Sequence, residues 1–298
     1  MSVPQTRKDA VRVAYLLMVH RNPDQVAALL RALPADSPVF VHIDARVPRR
    51  RFAALSALQE VRPFTLVRRH RCYWGRIGMV RATLELTRAA LASGTDWQYA
   101  SLLSGADYPI ASNEAIAEFL EEHAGQEFLS FWDMRAESNP WRHSPGRMQA
   151  DARVDRQYFG AGRRIVRAPW RRSMPGGLHP YGGAQWWTLT RQALEFVVRF
   201  TDQHPRYLRF MRGVFVPDEC FVQTALGNSR FKAAIPGDDL RYVDWNRPEP
   251  PHPAILRSED VEVLGASGKL YARKFDLGVD PEVFAAVDAR LRGATPVG

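Results

Sequence analysis

Two adjacent acidic residues stand inside an otherwise apolar run, "VFVPDECFVQTAL" at positions 214–226. Burying a charge is costly, so a carboxylate pair in such a run needs a reason. Because Pro217 favours a first helical turn, we predict that a helix starts here and that Asp218 caps its free amides. The apolar neighbours of Glu219 would raise its pKa toward the range of a general base. A structural role for Glu219 at the helix dipole is the alternative.

A group of basic residues near the C-terminus could bind an anion. Only four of the 41 basic residues are lysines, and two of them, Lys269 and Lys274, lie in this group with Arg257 and Arg273. Phe275 follows the Arg273-Lys274 pair and would hold it against apolar neighbours. A fixed pair of cations suits a phosphate or pyrophosphate ligand, while solvated surface charge is the alternative interpretation.

The sequence lacks an acidic motif that could hold a divalent metal. Hard cations prefer oxygen ligands, often in an Asp-x-Asp pattern, and that pattern does not occur here. Asp260-Val261-Glu262 comes nearest, in a predicted exposed strand, and Ser104-Gly105-Ala106-Asp107 follows another predicted strand. We therefore predict neither a metal nor any other cofactor, so that basic side chains would neutralise a leaving pyrophosphate.

The composition is that of a soluble protein with no nucleic-acid partner. The chain has 298 residues, 46% of them hydrophobic, and a net charge of +9. Its positive charge is almost entirely arginine, without a stripe of alternating basic and aromatic residues, which argues against nucleic-acid binding. The two cysteines, Cys72 and Cys220, cannot form a disulfide framework, which indicates a reducing compartment.

No membrane span or signal segment is predicted. The apolar run near the N-terminus covers about nine residues, too few to cross a bilayer. We expect a cytoplasmic protein; peripheral attachment to the inner face of the membrane is a further option.

Short apolar runs alternate with helix-period segments through the first half of the chain. Five strands are predicted, at residues 11–19, 37–44, 64–67, 97–105 and 127–132, with helices between them. This alternation predicts an α/β fold with a mostly parallel sheet flanked by helices, whose ligands bind beyond the carboxyl ends of the strands. The residues expected at these ends are His42, Asp44, Trp74, Ser104 and Asp107.

The second half of the chain is less regular. Residues 133–180 are rich in Arg, Trp, Pro and Gly, and we predict a long irregular excursion over the site. A strand at "AQWWTLT" and a helix at "RQALEFVVRF" follow. The segment "NRPEPPHPAI" is predicted to be a rigid extended linker, and the chain ends in a helix.

Eight motifs in a fixed order give the chain a resemblance to a known family. They lie within residues 11–276 and read "AYLLMVHRNPDQ", "VFVHIDAR", "YWGRIGMV", "LLSGADYPI", "YGGAQWWTLTR", "VPDECFVQTAL", "LRYVDW" and "ARKFD". With them the chain resembles the glycosyltransferases that include core-2/I-branching β-1,6-N-acetylglucosaminyltransferases and peptide O-xylosyltransferases. The resemblance implies one GT-A-like domain over residues 1–298, with a nucleotide-binding half at about 11–132 and an acceptor and catalytic half at about 133–298.

The resemblance also implies site residues. Gln185 departs from the pattern, because xylosyltransferase-like members tend to carry Asp there. Trp187 should face the core on the opposite side of its strand from Trp186. Asp107 either orients the donor sugar or caps the turn that follows it. Carried over position by position, the site consists of the catalytic base Glu219, the donor-binding residues Asp44, Arg46, Trp74, Asp107, Arg257, Arg273 and Lys274, and the acceptor-binding residues Gln185 and Trp186.

The implied activity is inverting, metal-independent transfer of a sugar from a UDP-sugar to a hydroxyl of a glycan or another acceptor. N-acetylglucosamine (GlcNAc) is the expected sugar and xylose the alternative. The N-terminal anchor and many cysteines of eukaryotic relatives are missing here, which predicts a bacterial member. A non-catalytic module that binds a sugar nucleotide or a glycan is the alternative of another class.

A glycoside hydrolase is a further alternative. Such an enzyme places two carboxylates about 5–10 Å apart across its substrate. Neighbouring side chains on a helix diverge by about 100°, so Asp218 and Glu219 could not flank one bond.

Overall fold

The computed structural model describes residues 11–144, 146–160, 164–247 and 253–293. Strands and α-helices alternate in the first third of the chain, while farther on several strands or several α-helices follow one another. The strands are β1 Val13–Val19, β2 Val39–Ile43, β3 Thr65–Leu66, β4 Tyr99–Ser104, β5 Asp107–Pro109, β6 Phe128–Leu129, β7 Trp132–Asp133, β8 Arg156–Phe159, β9 Val166–Arg171, β10 Tyr181–Gly182, β11 Trp187–Thr190, β12 Arg241–Val243 and β13 Tyr271–Arg273. The α-helices are α1 Pro23–Ala32, α2 Arg49–Ala57, α3 Gly78–Ala92, α4 Asn113–Glu122, α5 Ala150–Asp155, α6 Arg191–Gln203, α7 Pro205–Met211, α8 Phe221–Gly227, α9 Val261–Ala266 and α10 Val283–Val287.

The central sheet has six strands in the order β3-β2-β1-β4-β11-β6. The first four run parallel, while β11 is antiparallel to both of its neighbours. The predicted α/β class, with a mostly parallel sheet flanked by helices, is confirmed. The strands β1, β2 and β4 are nearly continuous apolar runs because helices cover both of their faces, while the edge strand β3 is short and its Thr65 is exposed.

Two apolar cores lie on opposite faces of this sheet. The alternating residues of β1 divide between them, since successive side chains of a strand point to opposite sides. Val13, Tyr15, Leu17 and Val19 join the core that includes α1, α2 and the C-terminal helix α10. The core on the other face contains α3, α6 and α8, and it encloses Ala14, Leu16 and Met18.

A smaller sheet, which the sequence did not predict, stands at the end of the central one. Its order is β12-β13-β5, with β12 parallel to β13 and β13 antiparallel to β5. It places Arg273 of β13 directly opposite Asp107 of β5. The sheet therefore joins the C-terminal cations to the segment that follows β4.

Three other predictions need correction. The strand predicted at 127–132 is split into β6 and β7, which belong to different sheets. Residues 260–262 are helical rather than extended, because a 3-10 turn at Ser258–Asp260 leads into α9. The excursion at 133–180 is not wholly irregular, since it contains α5 and the antiparallel hairpin of β8 and β9.

Two further predictions concern the extended linker and the absence of a membrane span. Residues 248–252 of the predicted linker lie outside the described residues. Within the part of the chain that the structure describes, no helix has both the length and the apolar character needed to span a bilayer.

Candidate active site

Glu219 lies in a tight turn rather than in a helix. Pro217–Glu219 forms a 3-10 turn, and α8 begins only at Phe221. Cys220, at φ −144° and ψ −8°, interrupts the helical path between the two. The turn also follows Val216, whose φ of 53° is rare for a β-branched residue. The helix predicted from Pro217 is thus replaced, at its start, by this turn.

The turn is held against the segment between β10 and β11. The amide of Gly183 donates a hydrogen bond of 2.9 Å to the carbonyl of Glu219. A Cβ at position 183 would lie 1.8 Å from the carbonyl oxygen of Ser130, so only glycine permits this approach. The "YGGAQWW" motif therefore fixes the backbone beside the acidic turn.

Arg153, which was not among the predicted site residues, pairs with the carboxylate of Glu219. Its Nη1 lies 2.5 Å from Oε2 of Glu219, and its side chain is 2% exposed while that of Glu219 is 31% exposed. The guanidinium stands 3.8 Å from the ring centre of Trp141, and its Nε donates to the carbonyl of Met148 at 3.0 Å. Contacts other than the one with Glu219 therefore also hold the guanidinium of Arg153 in place.

Opposing effects act on the pKa of Glu219. Burial raises the pKa above its ordinary value, while the charges of Arg153 and Arg273 and the hydrogen bond from Arg153 lower it in part. The net shift is upward, which is the direction that makes a carboxylate a better general base.

Asp218 differs from its predicted role as a cap. Neither the 3-10 turn nor α8 has a side-chain hydrogen bond at its N-terminus. Among the described residues, Oδ1 of Asp218 is buried without a hydrogen-bond partner. Burial and then the charge of Glu219 raise the pKa of Asp218 to about 7.

Arg273 connects the acidic turn to the C-terminal cations. Its guanidinium stands 4.5 Å from the ring centre of Trp186, and its Nε lies 3.3 Å from Oδ1 of Asp107. It also contributes to the electrostatics of Glu219. Four of the predicted site residues, Glu219, Arg273, Trp186 and Asp107, are therefore brought together.

Asp107 is enclosed by protein groups. Its side chain is fully buried. Oδ2 accepts hydrogen bonds from the amide of Ser104, at 2.6 Å, and from its hydroxyl, and Oδ1 lies between Arg273 and Arg241. Asp107 is therefore placed to orient the guanidinium of Arg273. Because its side chain has no exposed surface, it does not fit the predicted direct contact with a donor.

Lys274 follows Arg273 and is half-buried. Burial, then the charges of Arg273 and Arg21, lower its pKa to about 8. Arg21 lies at the carboxyl end of β1 and was not predicted as a site residue; it forms a 3.7 Å ion pair with Asp276. An ammonium surrounded by other cations is a favourable place for an anion.

Arg257 reaches the same region through the backbone. The amide of Leu256, the preceding residue, donates to the carbonyl of Lys274 at 2.7 Å. The Arg257 side chain is exposed. By contrast, Lys269 is paired with Asp238 at 2.6 Å, so it does not belong to this cation group.

Asp44 and Arg46 form a pair at the carboxyl end of β2. Nη2 of Arg46 lies 2.7 Å from Oδ2 of Asp44. Burial acts to raise the pKa of Asp44, but hydrogen bonds from Arg46 and from the amide of Cys72 outweigh it and hold the pKa below its ordinary value. The contact with Cys72 places the pair beside the loop that leads to Trp74.

Trp74 is one of the most exposed aromatic side chains, with 60% of its surface accessible. Its ring meets that of Phe215 edge-on at 5.3 Å, and the amide of Val216 donates to the carbonyl of Gly75 at 3.3 Å. Trp74 therefore stands beside the segment that leads into the acidic turn.

The predicted acceptor residues are more enclosed. Gln185 and Trp186 are 9% and 7% exposed, and Nε2 of Gln185 lies 3.3 Å from Sδ of Met18. Trp187 is 1% exposed and lies in the core, as predicted. The face of Trp186 carries Arg273, so little of this ring is free to stack on a sugar.

Within the described ranges, no group of three or more His, Cys, Asp or Glu side chains is arranged to hold a metal ion. The site as described consists of two adjacent carboxyl groups with raised pKa, Asp218 and Glu219, an exposed tryptophan and a cluster of arginine and lysine side chains.

Comparison with known proteins identifies a family. The sequence model described as "Branch: Core-2/I-Branching enzyme" matches residues 13–265. Human xylosyltransferase 2 is 28% identical over 312 residues, covering 97% of this chain and 34% of the relative. Mouse xylosyltransferase 2 is 29% identical, covering 96% and 34%. Human xylosyltransferase 1 is 27% identical, covering 100% and 32%. The chain spans about a third of the length of these relatives.

Proposed function

The chain belongs to the Core-2/I-Branching enzyme family of glycosyltransferases, and we propose that it is an inverting enzyme that moves a sugar from a UDP-sugar to an acceptor hydroxyl. The observation that carries the proposal is the placement of Glu219. Its carboxylate is partly exposed, has a raised pKa, and stands within electrostatic range of Arg273, whose neighbour Lys274 is a half-buried cation.

Glu219 acts as the general base. In its carboxylate form it removes the proton from the acceptor hydroxyl while that oxygen attacks C1 of the donor sugar, and UDP leaves from the opposite face. The attack forms the new C1–O bond as the C1–phosphate oxygen bond breaks, so a single displacement inverts the centre. Base assistance of this kind is typically worth about 10²–10⁴-fold.

The cations act on the leaving group. Arg273 and Lys274, with the exposed Arg257, stabilise the diphosphate as its negative charge develops, which is the role that a metal ion plays in many other sugar-nucleotide enzymes. Asp107 acts through Arg273, because it is buried and pairs with that guanidinium. Metal-independent transfer therefore belongs to the proposal.

Donor contacts are assigned to the residues at the strand ends. Asp44 and Arg46 are proposed to contact the uridine end, and the exposed ring of Trp74 offers a flat apolar face for a sugar. Gln185 and Trp186, whose exposed surfaces are small, are proposed to border the acceptor.

Two donor sugars are candidates. The resemblance of the motifs favours GlcNAc, while the curated relatives bear the name xylosyltransferase, which favours xylose. UDP release measured with UDP-GlcNAc, UDP-xylose and other UDP-sugars, with and without hydroxyl-bearing acceptors, would decide between them.

The decisive variant is Glu219→Gln. We expect acceptor-dependent UDP release to fall by roughly 10²-fold or more while UDP binding stays unchanged. Glu118→Gln, which changes an exposed carboxylate of α4 in the same way, is the control. Retained activity in Glu219→Gln would remove the base assignment.

Sugar-nucleotide binding without any turnover of the native protein would favour a non-catalytic binding module. A loss of turnover in EDTA, restored by a divalent metal, would contradict the metal-independent mechanism.

A further inference from the structure

The hairpin of β8 and β9 concentrates the positive charge of the chain. Residues 156–172, here called the arginine hairpin, contain six arginines and no acidic residue, so they account for six of the nine net positive charges of the protein. Arg172 is used internally, since it donates to the carbonyls of Val154 and Arg156. Arg164, Arg167 and Arg171 are exposed.

The hairpin carries more positive charge than the one acid beside it can balance. Arg156 and Arg171 stand directly opposite each other in the strand register, and like charges in that position repel. Asp155, at the base of the hairpin, interacts electrostatically with Arg135 as well as with Arg171 and Arg156, so its single charge is shared among three arginines. An external anionic surface would relieve this repulsion.

The same hairpin exposes large apolar side chains. Of the eight exposed large hydrophobic residues in the described ranges, three belong to it: Phe159 at 48%, Val166 at 64% and Trp170 at 55%. Phe159 and Val166 are register partners, and the rings of Phe159 and Trp170 lie 5.9 Å apart. They therefore form one small apolar patch on a hairpin that also carries the exposed Arg164, Arg167 and Arg171.

The hairpin that carries this patch adjoins the candidate site. Nη2 of Arg76 donates to the carbonyl of Gly160 in the hairpin, and the amide of Tyr158 donates to the carbonyl of Gly213 at 2.9 Å. Trp74 and Tyr158 contact the same ring, that of Phe215, at 5.3 and 5.4 Å. The hairpin and Trp74 therefore pack against the same residue, Phe215.

We propose that the arginine hairpin docks the protein on an anionic phospholipid bilayer. Phe159, Val166 and Trp170 enter the interfacial region, where aromatic rings are favoured, and Arg164, Arg167 and Arg171 contact lipid phosphates. Docking would hold the candidate active site at the membrane surface, within reach of an acceptor carried there.

The combination of apolar and basic groups favours a bilayer over other polyanions. An acidic polysaccharide or a nucleic acid needs the arginines alone, whereas insertion into a bilayer uses the apolar patch as well. Each basic side chain near an anionic surface contributes a similar amount of binding free energy, and insertion of the apolar side chains adds to that free energy.

Vesicle flotation tests the proposal with the full chain and without donor or acceptor, so that failure here leaves the transferase proposal untouched. We expect binding to phosphatidylcholine vesicles that contain phosphatidylglycerol, no binding to phosphatidylcholine alone, and release by high salt. Arg164→Glu with Arg167→Glu should weaken binding roughly tenfold or more. Phe159→Ser with Trp170→Ser should weaken it several-fold and raise the salt sensitivity of what remains.

Matched variants elsewhere serve as controls. Arg49→Glu with Arg50→Glu makes the same charge change at exposed positions of α2, on the other face of the central sheet. Trp245→Ser removes an indole that is 67% exposed. Both should bind vesicles like the native protein, and thermal unfolding verifies that every variant is folded.

Three results would overturn the proposal. The first is equal binding to neutral and anionic vesicles. The second is binding to heparin but not to anionic vesicles, which would identify an acidic polysaccharide as the partner. The third is a dimer in light scattering that Phe159→Ser with Trp170→Ser dissolves, with no vesicle binding, which would identify the patch as a contact between two copies.

Discussion

The Nη1 atom of Arg153 lies 2.5 Å from Oε2 of Glu219, and the guanidinium that carries it is almost fully buried. A buried cation without a counter-charge is unfavourable, so Arg153 favours the ionised form of its partner. Burial of Glu219 has the opposite effect and prevails, because its pKa remains above the ordinary value. The pair therefore sets the pH at which the proposed base becomes a carboxylate.

The first prediction concerns the pH dependence of the native protein. Glu219 removes a proton only when it is ionised, so kcat/KM should rise with pH through an acidic limb. Because burial raises the pKa of Glu219, the midpoint of that limb should lie above the ordinary glutamate value of about 4.3. A pH–rate profile of UDP release measures it, and a midpoint at or below the ordinary value would contradict the assignment.

The second prediction concerns Arg153→Met, which removes the counter-charge. The pKa of Glu219 should rise further, so the acidic limb should move to higher pH and activity should recover in alkaline solution. Stability should fall by roughly 1–3 kcal/mol, less than for a fully buried pair, because Glu219 is partly exposed.

The controls for this prediction come from the same region of the chain. Arg153→Lys keeps the positive charge, so the acidic limb of its pH–rate profile should lie closer to that of the native protein than the limb of Arg153→Met does. Arg142→Met removes a more exposed arginine that pairs with Glu137 and Asp151, and it should leave the limb unchanged. In a double-mutant cycle with Glu219→Gln, additive losses of stability would show that the two side chains are not coupled.

The central sheet could be predicted from the sequence because its signals are local. The strands β1, β2 and β4 are apolar runs that end before a helix-period segment or a turn, and a run buried on both faces can be recognised without reference to distant residues. Glu219 was found for a similar reason, since an acid inside an apolar run is conspicuous in one short stretch.

The features that were missed depend on contacts between distant segments. β5 and β13 are three residues each and pair across more than 160 positions. Arg153 stands among many arginines of the excursion, and nothing in its neighbourhood marks it out; its role depends on Glu219, 66 positions away. The 3-10 turn at Pro217–Glu219 depends on the backbone at Val216 and Cys220, which the sequence does not reveal.

The third prediction concerns the cation group. Lys274→Ala should weaken binding of UDP by more than it weakens binding of uridine, because the lost ammonium would contact the diphosphate. The pKa of Lys274 is lowered to about 8, so affinity for UDP should also decline as pH rises above that value, while Lys274→Arg should bind UDP with little change over the same range.

Isothermal titration calorimetry with both ligands provides the measurement for Lys274. Lys269→Ala is the matched control, since that lysine is engaged by Asp238. Equal losses of affinity for UDP and uridine in Lys274→Ala would exclude a diphosphate contact.

The fourth prediction concerns Asp218, whose buried Oδ1 has no hydrogen-bond partner among the described residues. Burial and the neighbouring charge of Glu219 raise its pKa from 3.8 to about 7, so the folded state binds this proton more tightly than the unfolded chain. The free energy of unfolding should therefore fall as pH rises between these two values. Asp218→Asn removes the ionisation and should raise Tm above neutral pH by roughly 2 °C or more. In acid, where Asp218 is protonated in both the folded and the unfolded state, the Tm values of the variant and the native protein should differ little.

Thermal unfolding followed by circular dichroism across this pH range measures the effect of Asp218→Asn. Asp96→Asn, at an exposed position, should give no such pH-dependent gain. A lower Tm for Asp218→Asn above neutral pH would mean that the native state stabilises the Asp218 carboxylate. The coupled description of Asp218 and Glu219, in which ionisation of one acid disfavours that of the other, would then be wrong.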